Sequence, residues 1–325
     1  KKVPAVVLVH GGGGSAFKTW VEKWNAKGYA AISIAVEGQT DKRVENAAKK
    51  KVWAHHDWSG PARSGIYQDS KASVALSDQW MYHAVADTIL ANSLIRSLPE
   101  VDAAKVGLMG ISWGGVITST VIGIDERFAF AIPTYGCGDL SEAGNQYGSS
   151  LGDNETYKQV WDPILRLKKV KAPTLWFSWP EDKHFPMNHF AACYAEVNGP
   201  HMVSLIPKMG HGHGPPWNKP DSYAFADSIV NQGSPWCQQT ACSQSGGVFS
   251  VAFTATKKLN KAVLVSTTDS GVTGLRNWTE SPASLQNQGQ SYTASATLPK
   301  GCTAWFINVV SKQGLIVSSD YKEQK

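Results

Sequence analysis

The stretch VGLMGISWGGVITSTV, residues 106–121, decides the fold. Its first part, with Lys105, is a short apolar run of the kind that forms a buried strand, and from Trp113 the apolar spacing becomes helical. Between them sits Gly110-Ile111-Ser112-Trp113-Gly114, a serine with glycine two residues before and two after it. A G-x-S-x-G turn between a strand and a helix is strained and crowded, and a Cβ at either glycine would meet neighbouring backbone. Such a turn lifts the serine Oγ clear of the sheet. The helix that follows offers free N–H groups and positive potential at its first turn. Ser112 is therefore the candidate nucleophile.

A serine hydroxyl reacts only when a base takes its proton, and the base needs an orienting carboxylate. With a serine on this type of turn, the acid and then the histidine are expected later in the chain, each just past a strand. After the strand APTLWFSW (172–179) comes PEDKHFP, which offers Glu181 and Asp182. After HMVSLIP (201–207) comes KMGHGHG, which offers His211 and His213. Asp182, the shorter carboxylate at the centre of its turn, is preferred over Glu181. His211, where the loop leaves the strand, is preferred over His213, and His184 reads as a turn or pocket residue. The oxyanion donors are expected to be the backbone N–H of Trp113 and one from the loop His10-Gly11-Gly12-Gly13-Gly14. Gly12 comes first there and Gly13 second. That loop lacks the G-x-G-x-x-G spacing of a dinucleotide site.

Outward from this stretch the pattern alternates strands and helices. VPAVVLVH (3–10) is an apolar, β-branched strand, AFKTWVEKWNAKG (16–28) a helix ended by glycine, and AAISIAV (30–36) a second strand. Residues 37–75 read as an irregular surface excursion. SDQWMYHAVADTILANSLIRSL (77–98) has helical spacing, with Tyr82 and His83 as packing residues, and FAFAIPTYG (128–136) is a further strand. This is the grammar of an α/β fold with a doubly wound, mostly parallel sheet over residues 1–240. After Cys242 the texture changes to alternating strands such as GGVFSVAFTAT and CTAWFINVVS. Residues 243–325 are expected to form a small, antiparallel, sandwich-like all-β domain, with QTACSQSGG as the junction.

Composition narrows the function. The 325 residues are 42% hydrophobic and 18% charged, ordinary for a globular protein. The net charge of +5 is dispersed, and KKK (49–51) and RLKK (166–169) are short solvated clusters, so no nucleic-acid partner is expected. No apolar run is long enough to span a membrane. The chain enters a strand at once and shows no signal peptide, so the numbering is expected to begin at a mature or ordered residue. Five cysteines exclude a disulfide-dense scaffold. Cys237 and Cys242 are close enough in sequence to pair or to stay free. Cys137, Cys193 and Cys302 read as buried small residues. Trp53, His55, His56 and Trp58 in the excursion, with Trp113, Trp179 and Trp217 beside the triad positions, are candidate pocket walls for sugar rings or aromatic acyl groups.

Taken together, HGGGGSAF, the DQWMYHAVAD helix, GISWGG, DERFAFAIPTYGCG, LWFSWPEDKHFP and KMGHGHGPPW resemble the serine esterases of the α/β-hydrolase family. These are the enzymes called acetylxylan esterase-like or dienelactone-hydrolase-like. The resemblance covers roughly residues 3–235. It implies an α/β-hydrolase fold, a Ser112–Asp182–His211 triad and a backbone oxyanion hole. It also implies hydrolysis of carboxylic esters, commonly acyl groups on carbohydrate, with no metal or organic cofactor, in a secreted or periplasmic protein. Two departures stand out. The chain begins at what resembles the third strand of the fold, and the acid turn carries Ser178-Trp179-Pro180 where a glycine-rich turn is usual. A peptidase, thioesterase, lactonase or aromatic polyester hydrolase on the same fold is the nearest alternative. A carbohydrate-binding protein without catalysis is a more distant one.

Overall fold

The computed structural model describes residues 2–67 and 74–324. Its centre is a parallel sheet of β1 (Val3–Val9), β2 (Ala30–Ile34), β5 (Val101–Ile111), β6 (Phe130–Thr134), β7 (Thr174–Ser178) and β8 (His201–Leu205). In space these run β2-β1-β5-β6-β7-β8. The chain goes outward from β1 to β2, then crosses back to β5 on the other side. The switch point therefore falls between β1 and β5, which is where α/β sheets place ligands. Strands β1, β6 and β7 are buried on both faces, as their apolar runs predict. Helices α1 (Lys18–Asn25) and α6 (Asp221–Gln232) cover one face, joined by the Trp20, Trp24 and Tyr223 cluster. Helices α2 (Trp80–Ser97), α3 (Trp113–Val121) and α5 (Met187–Ala195) cover the other, where Trp80, Val116, Ile117 and Phe190 join one core. A short α4 (Gln146–Leu151) lies between β6 and β7.

The excursion after β2 is more ordered than its sequence suggests. It holds an antiparallel hairpin of β3 (Gln39–Glu45) and β4 (Lys51–His55), then a 3-10 turn, Arg63–Tyr67. The hairpin turn is tied by Asn46, whose Oδ1 accepts the N–H groups of Ala48 and Lys50. Most of its residues are exposed. A strand that buries no face leaves no period-two apolar pattern to read.

Residues 237–323 are antiparallel: β9 (Cys237–Ser245), β10 (Val248–Ala255), β11 (Leu259–Thr267), β12 (Thr279–Gln288), β13 (Ser291–Thr297), β14 (Ala304–Ser311), β15 (Ile316–Ser318) and β16 (Lys322–Glu323). The leaf β9-β10-β13 packs on β11-β14, with Phe249 of β10 edge-on to Trp305 of β14 at 6.1 Å. The expected junction QTACSQSGG lies largely within β9, and β12 is a further strand the pattern did not announce. Both are mostly exposed, and β12 carries Pro282, so neither shows a buried face. Cys237 and Cys242 lie on this one extended strand. Five residues of strand span about 16 Å, so the two cannot bridge, and both are free.

The two regions share one sheet. Strand β15 pairs antiparallel with β8 through Ser318 and Val203, and Asn308 Nδ2 donates to the Leu205 carbonyl at 3.0 Å. Their cores are common as well: Phe130, Phe225, Phe249 and Trp305 belong to a single buried cluster.

Candidate active site

Ser112 stands at the tip of the β5–α3 turn with φ 58° and ψ −121°, a region that residues with a side chain enter only under constraint. The constraint is visible. A Cβ on Gly110 would stand 2.0 Å from the Gly114 carbonyl oxygen, and one on Gly114 would stand 2.3 Å from that of Val9. Hydrogen bonds from Ser112 N–H to the Thr134 carbonyl (3.0 Å) and from Gly115 N–H to the Ser112 carbonyl (2.7 Å) close the turn.

His211 lies on the loop after β8, between Gly210 and Gly212, both with positive φ. Its Nε2 is 3.0 Å from Ser112 Oγ and its Nδ1 2.8 Å from Asp182 Oδ2. The ring is held by Tyr135 at 4.5 Å and by Phe185, stacked at 5.9 Å and 11°. Asp182, on the turn after β7, is fully buried. Its Oδ1 accepts the N–H groups of His184 (2.8 Å) and Phe185 (3.0 Å), and its Oδ2 accepts Trp179 Nε1–H (3.1 Å) as well as the imidazole. A buried carboxylate with four donors stays in place and holds the imidazole in one orientation.

The alternatives fall elsewhere. Glu181 turns outward, its Oε2 accepting the Lys208 N–H at 3.2 Å. His213 packs against Phe17 (5.2 Å) and Trp20 (6.0 Å) under α1, where burial lowers its pKa. His184 touches the His211 ring at 4.7 Å, and burial, with His211 beside it, lowers its pKa too.

The glycine loop after β1 closes over the nucleophile. A Cβ on Gly11 would be 2.8 Å from Ser112 Cβ. His10 supports the loop from beneath: its Nδ1 donates to the Gly11 carbonyl (2.6 Å) while Nε2 accepts the Val36 N–H (3.0 Å). Among the described residues, no protein acceptor engages the N–H of Gly12 or Trp113. Both are free for a ligand oxygen.

The candidate pocket residues divide. Trp53 Nε1 donates to the Gly13 carbonyl at 3.1 Å, and with His55 it lines a cleft of about 560 Å³ next to that loop. The Trp113 ring packs edge-on against Tyr67 (6.0 Å), Trp80 (5.7 Å) and Tyr147 (5.6 Å). Trp179 donates its indole N–H to Asp182, the candidate acid. Trp217 is buried against Trp20 at 4.5 Å. His56 and Trp58 stack on one another at 4.5 Å over a separate cleft, between β2 and α2. Arg63, which no motif announces, lies beside Gly12: a Cβ there would be 2.8 Å from Arg63 Nε. No group of three or more His, Cys, Asp or Glu able to hold a metal occurs among the described residues, and no helix there is long and apolar enough to cross a membrane.

Two family models match the chain: Acetyl xylan esterase (AXE1) over residues 1–138 and Prolyl oligopeptidase family over residues 70–231. An acylamino-acid-releasing enzyme from Rattus norvegicus is 27% identical over 65% of the chain, which spans 29% of that enzyme's length. Among solved structures, the acetyl xylan esterase from Paenibacillus sp. R4 superposes with a TM-score of 0.54 at 22% identity, covering 70% of this chain and 74% of that one. The Pyrococcus horikoshii acylaminoacyl peptidase gives 0.51 at 20% identity, covering 72% of this chain and 38% of that one. The chain thus has the α/β-hydrolase fold with an antiparallel C-terminal β region, and its sequence is similar to acetyl xylan esterases over its first part and to the prolyl oligopeptidase family over its middle part.

Proposed function

We propose that the protein is a serine carboxylic-ester hydrolase that removes acetyl or other small acyl groups from carbohydrate or related esters. The observation that carries the reading is the unbroken hydrogen-bonded series from Ser112 Oγ through His211 to buried Asp182. In this reading His211 Nε2 takes the hydroxyl proton as Ser112 Oγ attacks the ester carbonyl. The N–H groups of Trp113 and Gly12 bind the oxyanion, and the imidazolium returns the proton to the departing alcohol. Water, deprotonated by the same histidine, then releases the acid and frees Ser112. The match to the acetyl xylan esterase model over 1–138, the part carrying the glycine loop and Ser112, supports the acyl-sugar substrate. Acylated polysaccharide lies outside the cell, so the reading places the protein in a secreted or periplasmic setting.

The matches to the prolyl oligopeptidase model over 70–231 and to an acylamino-acid-releasing enzyme favour a second reading, cleavage of acylated amino-acid amides by the same residues. Acetylated xylo-oligosaccharide, p-nitrophenyl acetate and an N-acetylaminoacyl p-nitroanilide, each assayed with wild type and Ser112→Ala, separate the two. The esterase reading expects Ser112-dependent turnover of the first two and little of the third. Turnover of the anilide alone would overturn it.

A further inference from the structure

Close to Ser112, two buried hydrogen-bond donors, Arg63 Nε and Trp113 Nε1, have no acceptor among the described residues, and the hydroxyls of Tyr67 and Tyr147 belong to the same cluster. Arg63 stands on the turn after the hairpin, fixed by its own N–H to Glu37 Oε1 at 2.9 Å. Its guanidinium carbon is 5.9 Å from the Trp113 ring centre, and Nη1 donates to Tyr67 OH at 3.3 Å. Glu37 opposes this charge at ion-pair distance without hydrogen-bonding the side chain. Its Oε1 is 4.0 Å from Arg63 Nε, beyond hydrogen-bond reach, and its Oε2 accepts Gln39 Nε2 at 2.9 Å. Arg63 Nε and Trp113 Nε1 are both buried with no acceptor among the described residues. The Tyr67 and Tyr147 rings close the other sides of Trp113, and burial raises both phenol pKa values, so both hydroxyls keep their protons.

Buried donors without partners are rare in native proteins, and two side by side ask for an acceptor that arrives from outside. The residue types say which kind. A guanidinium prefers a planar anion that takes two parallel hydrogen bonds. The cleft leading away from this point is lined by Arg43, Lys51 and His55 as well as Arg63, with Glu37 the single carboxylate among its lining residues. A cleft lined mainly by positive charge raises the local concentration of anions. Glycine at position 12 is what lets the guanidinium lie against the glycine loop.

We propose that Arg63, with Trp113 Nε1 and the tyrosine hydroxyls, forms a carboxylate-binding subsite that selects esters bearing a free carboxylate a few bonds from the scissile carbonyl. This rests on the esterase reading for its turnover and on the donor geometry for its binding. The subsite is adjacent to Trp113 and Gly12, so an anchored carboxylate would fix the carbonyl against both N–H groups.

The test compares p-nitrophenyl hemiglutarate with its neutral methyl ester, the same chain without the charge. Wild type is expected to favour the acid by about tenfold or more in kcat/KM at low salt, and Arg63→Gln to abolish that ratio. Arg63→Lys is expected to keep part of it. Binding is read separately by calorimetry on Ser112→Ala, with monomethyl glutarate expected to bind about tenfold more tightly than dimethyl glutarate. Equal binding of the two, or a preference that survives in Arg63→Gln of unchanged circular dichroism, overturns the subsite. If neither p-nitrophenyl ester is turned over, the esterase reading falls, and the calorimetric comparison still decides the subsite.

Discussion

Gly274, in the C-terminal β region, lies against the peptide of Asp182: a β-carbon on it would stand 2.0 Å from the Asp182 carbonyl oxygen and 2.7 Å from the Lys183 nitrogen. The neighbouring Thr273 is part of the same contact, its Oγ1 accepting the Met187 N–H at 2.7 Å. The turn that carries the candidate acid is thus pressed from outside by the appended β region. Gly274→Ala cannot be accommodated without moving backbone. It is expected to cost about 1–3 kcal/mol of stability and to lower kcat/KM about tenfold or more through displacement of Asp182. Denaturant unfolding and ester turnover on the same preparation check both parts. Wild-type turnover in the variant would show that the contact does not position the acid.

The paired candidates at the two strand ends give opposite outcomes. His211→Ala and Ser112→Ala are each expected to lower kcat by roughly six orders of magnitude, and Asp182→Ala by roughly four. Glu181→Ala loses one exposed backbone contact and is expected to stay within about twofold of wild type. His213→Ala leaves a cavity under Phe17 and Trp20, so its cost is expected in thermal stability rather than in labelling of Ser112 by a fluorophosphonate. Mass spectrometry of the labelled protein reads all five variants.

Trp179 offers a cleaner split between KM and kcat. Its indole N–H donates to Asp182 Oδ2, the oxygen that also receives the imidazole. Trp179→Phe keeps the ring and removes that donor. A hydrogen bond to a carboxylate contributes about 1.5–3 kcal/mol, so kcat is expected to fall about tenfold or more with KM unchanged. A pocket wall would instead move KM, and differently for each acyl group.

The parallel sheet is legible because its central strands are apolar and buried on both faces and the turn at Ser112 carries glycine two residues to either side. The acid and histidine turns are legible for the same reason: each follows a continuous apolar strand. Where a residue's role depends on what it packs against, the sequence is silent. Trp179 and Trp217 look alike as tryptophans beside the candidate triad positions, yet one hydrogen-bonds Asp182 and the other fills the core. Arg63 and Gly274 have no motif at all. Arg63 follows a solvent-exposed hairpin with no apolar period, and Gly274 reaches Asp182 only through tertiary contact across some 90 residues of chain.

His10 carries a prediction about pH. Both ring nitrogens are used, Nδ1 donating to the Gly11 carbonyl and Nε2 accepting the Val36 N–H, so the neutral ring fits and the imidazolium does not. Burial is the main cause that lowers its pKa from 6.5 to about 4. Between those values the unfolded chain binds a proton that the folded protein refuses, so the stability from His10 is complete above pH 6.5 and is lost as pH falls toward 4. The full loss is about 3 kcal/mol. Asp162 and Asp221, whose carboxyl pKa values burial pushes up to about 6, act in the opposite sense. They take up protons on folding, and stability from them is lost as pH rises through 6. Because they are common to both proteins, the difference between wild type and His10→Gln isolates the histidine. Urea unfolding from pH 4 to pH 7 is expected to show the wild type losing about 3 kcal/mol more than the variant on acidification. Parallel curves for the two proteins would mean that His10 is not held neutral beneath the glycine loop.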